Sequence, residues 1–136
     1  MRVVIDAYSD ALKEALQEGL RAYNASQLPD APRRRIAVAI RDDSNKIQGG
    51  VIAYLFGDGC FIDTVWTDDT VRGKGFGTKI VRLAEDEARR LGARGVWLYT
   101  TSFQAKPFYE KLGYVQFGEL QWPGSDVKRH FMRKPL

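Results

Sequence analysis

One stretch limits the possible folds of this chain more than any other. It is Val71-Arg72-Gly73-Lys74-Gly75-Phe76-Gly77-Thr78, which runs straight into an amphipathic segment ending at Leu91. Phe76, Ile80, Leu83, Ala84, Ala88 and Leu91 recur at helical spacing, and Arg82, Glu85, Asp86, Arg89 and Arg90 lie mostly opposite. An apolar, β-branched run from Phe61 to Thr67 precedes the loop, and a second strand-like run, Val96 to Thr100, follows the stop at Gly92. Strand, loop, helix and strand in that order make a right-handed parallel crossover, so a sheet with a parallel pair is required.

The loop also carries chemistry. Glycine lacks a Cβ, so Gly73-x-Gly75-x-Gly77 can turn several N–H groups toward one point and admit a ligand close to the main chain. The helix behind it adds unpaired N–H groups and the positive end of its dipole, which together favour phosphate. Two familiar phosphate loops do not fit. A Walker loop needs Lys-Ser or Lys-Thr after its last glycine, whereas Gly77 is followed by Thr78-Lys79. A dinucleotide fingerprint needs Gly-x-Gly-x-x-Gly, and the third glycine is missing at that spacing.

The rest of the chain reads as short elements. Met1 to Ile5 predicts a first strand, and Asp10 to Tyr23 a helix with Ser9 as N-cap. Asn24 to Arg35, with two prolines and an arginine triplet, predicts a loop. Ile36 to Ile40, Ile47 to Phe56 and Cys60 to Thr67 predict three successive antiparallel strands, with Gly49-Gly50 marking a bulge or a close backbone approach. A helix is expected from about Gln104 to Leu112, with Pro107 in its first turn, then strands at Tyr114 to Leu120 and Arg129 to Arg133. The order implies one α+β domain spanning residues 1–136.

Arg72-x-x-Gly75-x-Gly77 between strand and helix resembles the acetyl-coenzyme A pyrophosphate loop of the GNAT superfamily of N-acetyltransferases. Phe108-Tyr109-Glu110-Lys111-Leu112-Gly113-Tyr114 is similar to the Tyr-Glu-x-x-Gly-Phe/Tyr signature that closes the same fold, and it stands where the family places it. The resemblance runs from Ile36 to the C-terminus and weakens before it. It implies a mixed, mostly antiparallel twisted sheet of about six to seven strands with helices on both faces.

It further implies acetyl-coenzyme A as co-substrate and direct attack by a primary amine, on a small molecule or a peptide, at the thioester. The backbone of Gly73, Lys74, Gly75, Phe76, Gly77 and Thr78 would hold the pyrophosphate, with charge from Arg72 and Lys74. The main chain of Val65, Trp66 and Thr67 would pair with the pantetheine arm, and Phe108 would add cofactor contact. Ser102, a hydrogen-bonding residue where many members carry Asn, would keep a cofactor contact, and Tyr99 stands where some members carry a carboxylate base. An ammonium has no lone pair and a thiolate leaves better when protonated, so a base and an acid are wanted. Tyr109 is the candidate acid, and Asp63 the candidate base or amine ligand. For these two the alternatives are a packed aromatic and a surface acid.

Composition narrows the remaining choices. No apolar run approaches the ~20 residues a bilayer demands, and one cysteine, Cys60, fits a reducing cytoplasm. Cys60 is read as a small buried hydrophobe, His130 as a surface residue beside its neighbouring cations, and no cluster predicts a metal. A net charge of +4 and Arg33-Arg34-Arg35 leave a nucleic-acid-binding module as a weaker alternative, since Trp66, Trp97 and Trp122 sit mostly in strand patterns that predict burial. An acyl-coenzyme A sensor without turnover is the other, and a homodimer is compatible with either.

Overall fold

The structure, a computed structural model, describes residues 1–29, 33–103 and 105–136. The expected helix start at Gln104 and part of the expected 24–35 loop therefore lie outside the described residues. The chain divides into two compact units, Met1–Ala31 and Pro32–Leu136.

In the first unit, helix α1 spans Asp10–Gln27, and the Ser9 side chain accepts the Leu12 N–H as the cap requires. The helix runs past Tyr23 into the segment expected to be loop. The strand expected at Met1–Ile5 does not form. β-Branched residues favour extended backbone, but a strand needs a ladder beside it.

The second unit contains strands β1 (Arg33–Arg41), β2 (Ile47–Phe56) and β3 (Gly59–Thr67), helix α2 (Phe76–Arg90), strand β4 (Gly95–Thr101), helix α3 (Lys106–Lys111), and strands β5 (Val115–Gln121) and β6 (Lys128–Pro135). They form a six-stranded sheet in the order β1-β2-β3-β4-β6-β5. β3 and β4 are parallel, as the crossover demands, and every other pair is antiparallel. The arginine triplet opens β1 instead of closing a loop.

Alternation assigns the two sheet faces. Val51, Ala53, Leu55, Cys60, Ile62, Val96, Leu98 and Met132 are buried together with Ile80, Val81, Ala84 and Ala88 of α2, Tyr109 of α3 and its C-cap Leu112. Both helices thus cover one face. The opposite face of the same strands carries Tyr54, Phe61, Trp97, Tyr99, Phe117 and Phe131.

Two details depart from simple periodicity. Glu85, on the side of α2 read as polar, is only 3% exposed, and its carboxylate accepts from Lys134 Nζ of β6 at 2.6 Å and from the Tyr114 hydroxyl at 3.4 Å. Gly49 and Gly50 make the close backbone approach predicted for them. A Cβ on Gly50 would stand 2.4 Å from the Val38 carbonyl oxygen, and one on Gly49 would stand 2.7 Å from that of Trp66.

Candidate active site

β3 leaves the sheet into a 3-10 turn, Asp69–Val71, capped by Asp68, whose carboxylate accepts the Thr70 N–H at 3.0 Å and its hydroxyl at 2.7 Å. Those bonds hold the Asp68 carboxyl below the usual carboxylate range. Gly73 and Gly75 then take φ of 72° and 81°, in the left-handed region where a Cβ is strained. Gly75 is the N-cap of α2 and supplies no side-chain bond, and the first bond within the helix is Lys79 N–H to Gly75 C=O. The N–H groups of Phe76, Gly77 and Thr78 therefore face outward at the positive end of a 15-residue helix.

The flanking cations brace this turn. Arg72 Nε donates to the Thr67 carbonyl at 3.1 Å and its guanidinium pairs with Asp69, while Lys74 Nζ donates to the Thr70 carbonyl at 2.9 Å. Their first effect is to hold the loop's shape, and part of Arg72's charge is compensated by Asp69. The arrangement suits a diphosphate bound mainly by backbone.

The two sequence motifs meet at this point. The Phe108 ring of α3 lies where a Cβ on Gly77 would be 3.5 Å from it, so the third glycine of the loop admits the aromatic of the second motif. Phe108 and Tyr109 pack edge-on at 5.1 Å, and Tyr109 and Tyr114 at 5.6 Å.

Beside the loop the sheet is split. β3 and β4 pair only over Gly59–Phe61 and Gly95–Trp97, then part. The gap is a cavity of about 330 Å³ lined by Ile62, Asp63, Thr64, Val65, Leu98, Tyr99, Thr100, Thr101, Ala105 and Tyr109. Asp63 is the one charged residue on this wall among those described. A register shift between β2 and β3 falls at this position, because Ile52 pairs with Thr64 and Ala53 with Ile62. Such an extra residue re-aims its side chain, and the Asp63 carboxylate accepts from the Thr64 hydroxyl at 2.9 Å. Tyr109 is buried, which pushes its phenol up to about 12 and keeps it protonated. The cavity thus holds a neutral O–H donor and a carboxylate in one enclosure.

The other expected residues are spread around and beyond this cavity. Val65 lines the cavity, Trp66 projects from the far side of β3, and Thr67 accepts the Arg72 bond. The Ser102 hydroxyl accepts the Lys128 N–H at 3.1 Å, which fastens the end of β4 to β6 and leaves Ser102 off the cavity wall. His130, expected at the surface, is buried on the helix-covered face, with Nδ1 3.6 Å from Glu119. Alternation with Met132 decides this, not its cationic neighbours. Cys60 is buried as read, with its thiol pushed up to about 11 by desolvation. Trp66 and Trp97 are exposed by 47% and 40%, against the burial expected from their strand patterns, and Trp122, beyond the end of β5, is exposed by 68%.

Thr64, Thr100 and Thr101 line the cavity although nothing in the sequence singled them out. Their only signal is position near the ends of strands that diverge, and divergence is a property of the pairing. A larger groove of about 880 Å³ lies at the other end of the same strands, around Gly59, Gly95, Trp97, Phe117 and Arg133. It is remote from the glycine loop.

The family model described as "Acetyltransferase (GNAT) family" matches residues 2–114. An acetyltransferase of Agrobacterium fabrum is 29% identical over 121 residues, 88% of either chain. A blasticidin-S acetyltransferase of Streptomyces morookaense is 30% identical over 119 residues, 86% of this chain and 88% of that one. An acetyltransferase structure from Bacillus cereus superposes with a TM-score of 0.81 at 29% identity, covering 98% of each chain. A glycine cradle on a helix, a split between parallel strands and a match over most of the length converge on one conclusion: the chain belongs to the GNAT family of acetyltransferases.

Proposed function

We propose that the protein is an N-acetyltransferase that moves the acetyl group of acetyl-coenzyme A directly to a primary amine. The observation that carries this reading is the split between β3 and β4, with Asp63 and Tyr109 on its walls and the Gly73–Thr78 cradle on the helix beside it. The pyrophosphate is held by the N–H groups of that cradle. Beyond Phe61 the edge of β3 toward β4 lacks a partner strand, so the main chain of Val65 to Thr67 can pair with the pantetheine amides.

The thioester then lies in the split. The amine enters as an ammonium, gives its proton to Asp63 or to a water that Asp63 orients, and attacks the acetyl carbon. The C–S bond breaks as the new C–N bond is completed, the Tyr109 phenol donates its proton to the departing thiolate, and the second proton shed by the acylated nitrogen restores the phenol.

A thiol-release screen of acetyl-coenzyme A against a panel of primary amines tests the reading, with coenzyme A binding followed by calorimetry in wild type and Gly75→Glu. The glutamate puts a strained side chain and a negative charge in the cradle, so coenzyme A affinity is expected to fall roughly tenfold or more. Unchanged affinity would remove the cradle from cofactor binding. Binding without release from any amine would favour the sensor.

A further inference from the structure

The face of the sheet turned away from α2 carries charge that the reaction itself does not use. In β6 the alternation places Arg129, Phe131 and Arg133 on that face, and the register sets Phe131 against Tyr99 and Arg129 against Thr101 of β4. Tyr99 and Thr101 both line the split. The Arg129 guanidinium carbon lies 4.4 Å from the centre of the Tyr99 ring, so the cation is spread over an aromatic belonging to the cavity wall. Tyr99 is itself wedged between Phe61, at 6.1 Å, and Phe131, at 5.9 Å. The platform under the guanidinium is thereby fixed.

Arg129 is exposed, and no ion pair within 4.0 Å is found for it among the described residues. Glu119, the nearby acid of β5, points to Lys128 and His130 instead, at 3.9 and 3.6 Å. Asp63, across the split, accepts only the Thr64 hydroxyl among its described contacts. A carboxylate and a guanidinium thus flank one aromatic wall, each with bonding capacity to spare. Arg35 and Arg133 add positive charge to the same face.

Resting on the acetyltransferase reading, we propose that the acceptor carries a carboxylate as well as its amine, and that Arg129 binds this carboxylate while the amine is presented to Asp63. A planar guanidinium matches a carboxylate through two parallel hydrogen bonds, and stacking on Tyr99 orders it beforehand. The two charged groups of the acceptor are separated by up to about two strand spacings, ~10 Å, since β4 lies between β3 and β6. Acceptors with several positive charges are disfavoured, because Arg129 stands beside the split and Arg35 and Arg133 add positive charge further along the same face.

The test uses the full chain with 4-aminobutyrate, 6-aminohexanoate, their primary amides and spermidine as acceptors, in wild type, Arg129→Ala and Arg129→Lys. A carboxylate is expected to exceed its amide by about tenfold in kcat/KM, through KM. Arg129→Ala should reduce that ratio to within about twofold, Arg129→Lys should keep part of it, and KM for acetyl-coenzyme A should not move. Calorimetry of N-acetyl-6-aminohexanoate and its amide on the coenzyme A-loaded protein supplies a readout that needs no turnover. Equal binding of the two, a preference that survives Arg129→Ala, or spermidine as the best acceptor would each overturn the proposal. Arg129-dependent binding without turnover would support the carboxylate site while sinking the enzyme reading, and turnover indifferent to the carboxylate would do the reverse.

Discussion

In the proposed mechanism, burial makes Tyr109 an acid that stays loaded. Its phenol is pushed up to about 12 by desolvation, and a raised tyrosine favours the neutral form in the folded chain. Its contribution to stability is fully present below the unfolded value near ~10 and is lost as pH rises through the folded value. Tyr109 therefore imposes no descending limb on the rate below pH ~10, and the profile should only rise as the amine is deprotonated. Tyr109→Phe keeps the ring and removes the proton. Turnover should fall by about 10²-fold while coenzyme A affinity holds, and steady-state rates beside calorimetry measure both. Equal rates would take Tyr109 out of proton transfer and leave it as packing between Phe108 and Tyr114.

Among the elements, α2 has two duties under the proposed function, presenting its N-terminus to a phosphate and packing its flank on the sheet. Glu85 fastens that flank to β6 through Lys134, with side chains 4% and 24% exposed. Lys134→Ala would strand a buried carboxylate, at a cost of about 3 kcal/mol, the lower end of the usual range because water reaches the lysine side. The double variant Glu85→Leu, Lys134→Met should recover most of that loss. Urea unfolding of both proteins checks the pair, and a single-variant loss under about 1 kcal/mol would mean that the contact is not a fastening. Helical periodicity put Glu85 among the polar positions, and its partner lies 49 residues away. No local pattern could reveal it.

For the whole molecule, ligand and stability are linked. On the proposed reading, a cradle that exists only in the folded state makes coenzyme A a stabiliser, worth about 2.7 kcal/mol at 100 times its Kd. For a chain of this size that raises the unfolding midpoint by roughly 5–12 °C, and scanning calorimetry with and without coenzyme A measures it. Gly75→Glu, bound at least about tenfold more weakly, should lose about half of the shift or more while keeping its own transition. No shift in the wild type at saturating coenzyme A would contradict the binding reading from a direction independent of any acceptor.

Local chemistry was legible in the amino-acid order. Glycine spacing before an apolar helical stripe defined the cradle, a Pro-led helix ending in Gly113 located the second motif, and alternation found the sheet's strands to within a few residues. Each of these is a property of neighbouring residues, set by backbone sterics and by which face is buried. Tertiary structure alone decided the rest. Met1–Ile5 lacks a partner ladder and is no strand, Glu85 and His130 are buried by what packs over them, and Trp66 and Trp97 remain exposed on a face their alternation could not identify. The cavity itself arises because β3 and β4 stop pairing after Phe61 and Trp97 and a register shift turns Asp63 into the gap. Side-chain pattern says which way a residue points from its own strand. Where two strands part, and which distant groups then share the opening, depends on pairing between segments far apart in the chain.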